Sequence, residues 1–196
     1  MLRRAMVSVL AVSLCFVGAV VVKTNLLSAA EKGSNSKAPK AIIKTKFGDM
    51  EVIFFPEQAP KHVDNFVSLA KSGFYNGTIF HRVIPGFMIQ GGDPNTKDPT
   101  KPETYGMGGP SQRLNAEFND IPHRRGILSM ARTSDPNSAG SQFFIVVKDS
   151  NFLDRQYTAF GEVVKGMEVA DTIVKLPRNA RDLPTERVEM TITVVE

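Results

Sequence analysis

The sequence predicts an all-β dominated domain, a closed eight-stranded β-barrel capped by two α-helices. Eight short segments have the composition or the period-two alternation of β-strands. Two other segments repeat apolar residues at the spacing of an amphipathic helix. Eight strands are the number at which a closed barrel is just filled by its own side chains, so the strand count favours a barrel.

The domain begins with a predicted β-hairpin. Residues 41–46 and 50–55 are predicted as strands, and the Gly48-Asp49 pair between them has turn chemistry. The remaining six strands are predicted at residues 78–83, 87–91, 127–131, 142–147, 159–164 and 188–195.

Two segments are predicted to be helical, and one long segment has no period. Residues 59–71 repeat apolar side chains at helical spacing, and Gly73 supplies a C-terminal stop. Residues 166–175 repeat the same spacing over a shorter length.

The glycine- and proline-rich stretch 93–113 lacks periodicity, and an unstructured loop of that length inside a compact domain is usually functional. We therefore expect residues 93–113 to lie beside a binding surface.

The N-terminus has the pattern of an export signal. Two early arginines precede an uncharged run over residues 5–22, and the segment Leu27-Ser28-Ala29-Ala30 offers the small residues that a signal peptidase needs. We favour a signal peptide over residues 1–30, removed after Ala30, and hence an exported protein, periplasmic or extracellular. The uncharged run is also close to the lower length limit of a membrane-spanning helix, so retention of residues 5–22 as an N-terminal membrane anchor stays open.

Composition excludes several classes of function from the rest of the chain. Residues 31–40 hold too few apolar residues to fold and form a flexible linker, and the domain occupies residues 41–196. The chain has 24 basic and 20 acidic residues, but three basic residues lie in the leader, so the net charge after it is only +1. Nucleic acid is therefore not an expected partner. Cys15, the single cysteine, lies in the uncharged run, so a mature chain beginning near Glu31 has no thiol chemistry.

Residues 80–93 are the most informative run of the chain. They contain one arginine and one glutamine among aromatic and thioether side chains, a combination suited to binding an apolar ring. Arginine keeps its charge and offers five donors, so placing Arg82 beside apolar residues is costly unless its donors are used. Strand alternation predicts that Phe80, Arg82 and Ile84 share one face, and that Met88 and Gln90 share a face after the Pro85-Gly86 turn.

Histidines and serines give no sign of metal or hydrolytic chemistry. His81 is predicted to point to the face opposite Arg82 and to be structural. His62 and His123 stand apart in the sequence from any cluster of carboxylates or cysteines, so no metal site is assigned. Ser129 and Ser141 lack a nucleophile-elbow motif, which leaves hydrolase chemistry without support.

Four blocks of the sequence together resemble the cyclophilins, which are peptidyl-prolyl cis-trans isomerases. The blocks are residues 80–93, 126–131, 140–145 and 152–154, and they keep the order and approximate spacing of that family. The resemblance covers essentially residues 41–196. With its leader and its Tyr157, the chain is most similar to the exported bacterial branch.

The resemblance implies eight antiparallel strands and an active face on the outside of the barrel, with no cofactor and no metal. It assigns the catalytic arginine to Arg82, and we predict Gln90 as the second catalytic residue. Gln90 and Gln142 fall on positions that hydrogen-bond the peptide or orient the arginine, although they could merely satisfy buried backbone groups. The glycine-rich loop at residues 106–109 matches a neighbouring side pocket. The implied substrate-binding residues are Phe87, Met88, Ala131, Arg132, Gln142, Phe144, Phe152, Leu153 and Tyr157.

Two residues depart from the family pattern. Phe152 stands where many cyclophilins have tryptophan, which removes an indole N–H donor and should weaken binding of the cyclic peptide cyclosporin more than turnover. Tyr157 stands where many have histidine, and it still offers an apolar body with a polar tip. We therefore expect weak cyclosporin binding and keep Tyr157 as a wall of the pocket.

We expect an enzyme that accelerates rotation about X-Pro peptide bonds in proteins folding outside the cytoplasm. Its partners would be proline-containing polypeptides, it would contact a membrane only if the leader is retained, and it would be a monomer. One alternative is a non-catalytic proline-peptide binding module or holdase chaperone on the same fold. Another is a membrane-tethered assembly subunit, which requires residues 5–22 to remain on the mature protein.

Overall fold

The observed elements follow the predicted segments closely. The computed structural model describes residues 39–195. Both predicted helices and seven of the eight predicted strands are present with ends that differ by at most two residues, and the predicted strand 78–83 is divided into two. The helices are α1 (Pro60–Lys71) and α2 (Met167–Val174). The strands are β1 (Lys40–Thr45), β2 (Gly48–Phe54), β3 (Thr78–Ile79), β4 (Arg82–Ile84), β5 (Met88–Gly91), β6 (Ile127–Met130), β7 (Phe143–Val146), β8 (Ala159–Lys165) and β9 (Glu189–Val195).

The predicted leader lies outside the part of the chain that the structure describes. This applies to the signal peptide or anchor at residues 1–30 and to residues 31–38 of the predicted linker. Among residues 39–195, no helix has the length and apolar character needed to cross a bilayer.

The strands form one curled antiparallel sheet in the order β3-β9-β1-β2-β8-β6-β7-β5-β4. The described residues contain nine strands where eight were predicted, because the predicted strand 78–83 is interrupted at Phe80 and His81. The Phe80 N–H donates to the Val188 carbonyl near one edge of the sheet, and the His81 N–H donates to the Gln90 carbonyl at the other. The two residues therefore connect β3 and β4, the first and last strands in the order of the curled sheet.

An apolar cluster fills the interior of the barrel, and both helices contribute to it. We call this the interior cluster. α1 supplies Val63, Phe66 and Ala70, the residues whose spacing predicted the helix. α2 supplies Val169, Ala170, Ile173 and Val174. The helices thus cap the barrel as the sequence predicted.

A distant glutamate fixes the start of α1. Glu117 accepts hydrogen bonds from the backbone N–H groups of Lys61 and His62, at 3.1 and 3.0 Å, and lies 2.6 Å from Nδ1 of the buried His62 side chain. The first N–H groups of a helix have no partner inside the helix, so Glu117 satisfies two of them. Burial lowers the pKa of His62 although Glu117 opposes that shift, and the imidazole is neutral near pH 7.

Candidate active site

The outer face of the barrel carries a row of three predicted site residues. Arg82 lies opposite Gln90 in the β4–β5 pair, and Gln90 lies opposite Phe144 in the β5–β7 pair. Side chains at paired positions lie on the same face of a sheet. The alternate residues, Ile89 and Phe143, belong to the interior cluster, so the row of Arg82, Gln90 and Phe144 faces outward.

Phe80 does not share this face, and the prediction from strand alternation was wrong here. Phe80 is fully buried in the interior cluster, because the chain breaks at Phe80 and His81 and the alternation restarts at Arg82. His81 is also buried, and it borders the same cavity of about 300 Å³ as Arg82, whereas strict alternation predicted opposite faces. Burial lowers the pKa of His81 to about 4.

A second apolar cluster, which we call the outer cluster, lies beside this row. Its buried members are Met88, Ile127, Phe144, Val146, Leu153 and Ala159. Phe87, Ala131 and Tyr157 pack against it while staying partly exposed, so an apolar ring can reach it from solvent. Six predicted substrate-binding residues are therefore brought together in this cluster, namely Phe87, Met88, Ala131, Phe144, Leu153 and Tyr157.

Aromatic rings define the rim of the outer cluster. Tyr157 meets Phe144 edge-on, with ring centroids 5.8 Å apart. Phe152 is 65% exposed, and its ring centroid lies 5.4 Å from that of Phe87. An exposed aromatic side chain at the rim can cover a bound ring and leave the binding surface of the outer cluster open.

Arg82 stands at the edge of the outer cluster with its charge accessible. Its side chain is 46% exposed, and its nearest carboxylate is Asp182, with Nε and Oδ2 4.0 Å apart. Within the described residues the Arg82 guanidinium makes no hydrogen bond. The sequence predicted that its donors would have to be used, but partial exposure to solvent removes that requirement. The donors are thus free for a substrate.

Gln90 and Gln142 are joined to each other rather than to Arg82. The Gln90 amide donates to the Gln142 side-chain carbonyl at 3.0 Å. The Gln142 amide in turn donates to the carbonyls of Gly106 and Gly108, at 3.0 and 2.9 Å. The two glutamines therefore link the β4–β5 hairpin to the glycine-rich loop, and the backbone carbonyls that Gln142 bonds are exposed or only partly buried.

Asp93, which no sequence pattern marked as a site residue, holds the other side of the glycine-rich loop. Its buried carboxylate accepts hydrogen bonds from the N–H groups of Asn95, Gly106 and Gly108. A Cβ at position 108 would lie 2.1 Å from Asp93 Oδ1, so only glycine fits there. The predicted functional loop at 93–113 is thus ordered and lies against the site, as its composition suggested.

Ala131 and Arg132 continue the chain beyond β6 along a second cavity. This cavity has a volume of about 390 Å³, and it is lined by Gln90, Ala131, Arg132, Gln142 and the glycine-rich loop. Arg132 packs over the Tyr157 ring, with its guanidinium carbon 4.5 Å from the centroid, and donates to the Gln156 carbonyl. The eleven predicted site residues are thus divided among the outer cluster with its rim, the row of Arg82, Gln90 and Phe144, and the second cavity.

A buried polar chain supports the outer cluster from behind. His123 stacks on Phe144, and its Nδ1 lies 3.0 Å from Asp154 Oδ1 while its Nε2 lies 2.9 Å from Ser129 Oγ. Burial lowers the pKa of His123, although Asp154 opposes the shift. The arrangement has the order of a hydrolytic triad, but Ser129 is fully buried and donates to the Thr158 carbonyl, so it cannot act as a nucleophile.

His62 and His123, which were predicted to stand apart from any cluster of carboxylates or cysteines, each have one carboxylate partner. Glu117 and Asp154 lie at hydrogen-bond distance from them and come from 55 and 31 residues away in the sequence. Neither pair forms a metal site: within residues 39–195, no group of three or more potential ligands has a suitable arrangement. Sequence separation hid these contacts, and no local signal marks them.

Comparison with known proteins agrees with this architecture. Residues 40–195 match the family model of the cyclophilin type peptidyl-prolyl cis-trans isomerase/CLD. A peptidyl-prolyl cis-trans isomerase of Acinetobacter baylyi is 46% identical over 140 residues, covering 69% of this chain and 71% of that protein. Peptidyl-prolyl cis-trans isomerase A of Dickeya dadantii is 44% identical over 160 residues, covering 79% and 81% respectively.

Solved structures show the same fold. A cyclophilin type isomerase of Cryptosporidium parvum, crystallised in the presence of the dipeptide Ala-Pro, aligns with a TM-score of 0.73 and 35% identity, covering 80% of this chain and 99% of that one. A cyclophilin from Hirschia baltica aligns with a TM-score of 0.65 and 28% identity, covering 80% and 73%. The family match spans the entire barrel and every residue of the candidate site, so this chain belongs to the cyclophilin-type peptidyl-prolyl cis-trans isomerase family.

Proposed function

We propose that this protein catalyses cis–trans isomerisation of X-Pro peptide bonds in polypeptides that fold outside the cytoplasm. The observation that carries the catalytic part is the position of Arg82, whose guanidinium donates no hydrogen bond within the described residues and stands at the edge of an accessible apolar cluster. The presence of Ala-Pro in the related Cryptosporidium crystal supports a proline-containing ligand for this surface.

The chemistry of the reaction suits a site with one charge and no nucleophile. Rotation about a peptide bond has a barrier of about 18–20 kcal/mol because amide resonance must be lost. No covalent bond breaks, so a catalyst needs only to bind the twisted amide better than either planar form. The twisted amide differs from both planar forms by one feature: the prolyl nitrogen regains a lone pair and becomes a hydrogen-bond acceptor.

Arg82 can donate to that lone pair while the outer cluster holds the proline ring. A hydrogen bond to a charged group contributes about 1.5–3 kcal/mol, and preorganised donors in sites with little water contribute more. The remaining acceleration comes from holding the ring while the preceding carbonyl swings, since binding fixes the geometry of the reacting bond. Phe87, Met88, Phe144 and Leu153 supply the apolar contacts for this step.

Substitution of Arg82 tests the proposal directly. We expect Arg82→Ala to lower turnover of a short Ala-Pro peptide by orders of magnitude, because the substrate keeps its apolar contacts but loses the donor to the prolyl nitrogen. NMR exchange spectroscopy measures the isomer exchange, and circular dichroism checks the fold. Arg155→Ala is the control, since Arg155 is 77% exposed and pairs with Asp120.

The outcomes separate catalysis from binding. Near-normal turnover in Arg82→Ala removes that residue from the mechanism. If the wild-type protein binds proline peptides without changing their isomer exchange, the protein is a binding module or holdase and not an isomerase.

We propose further that the protein acts after export, in the periplasm or outside the cell. The support is the N-terminal sequence, in which two arginines, an uncharged run over residues 5–22 and the small residues Ser28, Ala29 and Ala30 follow one another. The mass of the mature protein, purified from its natural source, tests this. A chain that begins at Glu31 supports cleavage, and a mass that includes residues 5–22 indicates a membrane anchor.

A further inference from the structure

We propose that Asp182 is a positioning residue for Arg82, holding its guanidinium in the orientation that isomerisation requires. Asp182 lies in the loop between α2 and β9, 100 residues away from Arg82 in sequence. The inference rests on the proposed function of Arg82 and adds a residue that neither the family resemblance nor the sequence pattern pointed to.

The loop is attached to the strand that carries Arg82. β4 is the last strand in the sheet order, so one of its edges has no neighbouring strand. The Val83 N–H, on that edge, donates to the Asp182 carbonyl at 2.9 Å. This hydrogen bond fixes the backbone of Asp182 beside the residue that follows Arg82.

The loop around Asp182 is internally cross-linked. The Asn179 N–H donates to the Leu183 carbonyl, and the Asp182 N–H donates to the Asn179 carbonyl, both at 3.0 Å. The Asn179 side chain also accepts hydrogen bonds from the N–H groups of Arg181 and Leu183. Asp182 itself has φ of 60°, in the left-handed region that few residues other than glycine adopt. Such a conformation persists only where the surrounding structure imposes it, so the loop holds Asp182 in a defined place.

The carboxylate of Asp182 lies between two arginines. Its Oδ1 accepts a hydrogen bond from Arg178 Nε at 3.1 Å, and its Oδ2 lies 4.0 Å from Arg82 Nε. No other ion pair of Arg82 occurs among residues 39–195, and the Gln90 amide, which the resemblance placed near the arginine, is engaged with Gln142. Within the described residues, Asp182 is therefore the carboxylate that pairs with the Nε side of the Arg82 guanidinium.

Orientation matters because Arg82 has a long side chain on an edge strand and is half exposed. A side chain of this kind samples many rotamers unless a partner restricts it. A carboxylate on the Nε side restricts the rotation and leaves the terminal NH₂ groups for the prolyl nitrogen. Asp182 does not belong to the outer cluster, so its removal should lower kcat and leave KM nearly unchanged.

Two substitutions at position 182 test the inference. Asp182→Asn removes the charge and keeps a side chain that tolerates a positive φ, whereas Asp182→Gly removes the side chain and suits the backbone conformation. We expect both to lower kcat for an Ala-Pro peptide by about two- to fivefold, the range of a partly exposed charge pair, with KM unchanged. Asp120→Asn removes a carboxylate from an exposed pair with Arg155 and should change neither constant.

Two further measurements exclude a merely structural role. In an Arg82→Ala background, assayed at high enzyme concentration, Asp182→Asn should cause no additional loss, because there is no guanidinium left to position. In the ¹⁵N-labelled wild type, the Nε–Hε signal of Arg82, assigned with Arg82→Lys, should shift in Asp182→Asn and stay in place in Asp120→Asn. An unmoved signal, or an equal loss of kcat in the Arg82→Ala background, overturns the inference.

The two proposals can fail separately. If the wild-type protein does not accelerate isomer exchange, the proposed function is wrong, and the Arg82 signal alone then decides whether Asp182 holds the guanidinium.

Discussion

At the scale of single residues, the site combines the accessible charge of Arg82 with the apolar side chains of the outer cluster. Arg82 keeps contact with solvent, so water solvates its charge when no substrate is bound. Met88, Phe144 and Leu153 are almost fully buried, which leaves the partly exposed rings of Phe87 and Tyr157 as the surface that a proline ring would meet. A bound substrate would displace water from the guanidinium and strengthen its interaction with the amide.

Phe152 gives a prediction at this scale. We expect Phe152→Trp to tighten cyclosporin binding by about two- to tenfold, the value of one added hydrogen bond, because indole brings an N–H donor to the exposed rim of the outer cluster. Turnover of an Ala-Pro peptide should change little, because Phe152 is exposed at the rim and is not one of the buried residues that hold the proline ring. Isothermal titration calorimetry measures the affinity. Phe118→Trp, at another exposed phenylalanine, is the control, and equal gains in both variants would show that the added donor is not the cause.

At the scale of elements, the sequence predicts what is determined locally. The β4–β5 hairpin follows from alternation and from Pro85-Gly86, and α1 follows from the spacing of Val63, Phe66 and Ala70. The break at Phe80 and His81 could not be predicted, because it depends on pairing with Val188 and Gln90 on opposite edges of the sheet. Only the family resemblance predicted the outer cluster, because an apolar residue in a strand does not by itself show whether it faces the interior or the outside of the barrel.

The start of α1 gives a prediction at the scale of elements. We expect Glu117→Ala to lower the free energy of unfolding by about 2 kcal/mol, because it removes a helix cap and leaves the buried His62 Nδ1 without its partner. Urea unfolding followed by circular dichroism measures the change. Glu57→Ala alters an exposed glutamate just before the helix and should shift stability by less than about 0.5 kcal/mol. Equal shifts in the two variants would contradict the capping role.

At the scale of the whole molecule, the three histidines share a property that their positions in the sequence do not reveal. His62, His81 and His123 are all buried, and burial is the largest cause that lowers the pKa of each. They lie in the capping helix, at the junction between β3 and β4, and behind the outer cluster. Acidification therefore acts on three separate parts of the structure, each of which must take up a buried positive charge or open.

This shared property predicts how stability depends on pH. In the unfolded chain histidine takes up a proton below about pH 6.5, whereas these folded imidazoles stay neutral to lower pH, so the unfolded state binds more protons and stability falls as pH decreases. With the pKa of His81 near 4, that residue alone lowers the free energy of unfolding by about 2 kcal/mol between pH 7.5 and pH 5. Most of the loss from carboxylates with lowered pKa values, such as Glu117, lies below pH 4.5.

Urea unfolding of the wild type and of His81→Gln at pH 7.5 and pH 5 checks this. Glutamine cannot be protonated, so the variant should lose about 2 kcal/mol less than the wild type on acidification, whatever its stability at pH 7.5. The comparison within each protein removes the effect of the substitution on packing and leaves only its effect on proton uptake. Parallel losses in the two proteins would mean that His81 is protonated equally in the folded and unfolded states. The junction between β3 and β4 would then be open to water and not sealed, contrary to the burial seen here.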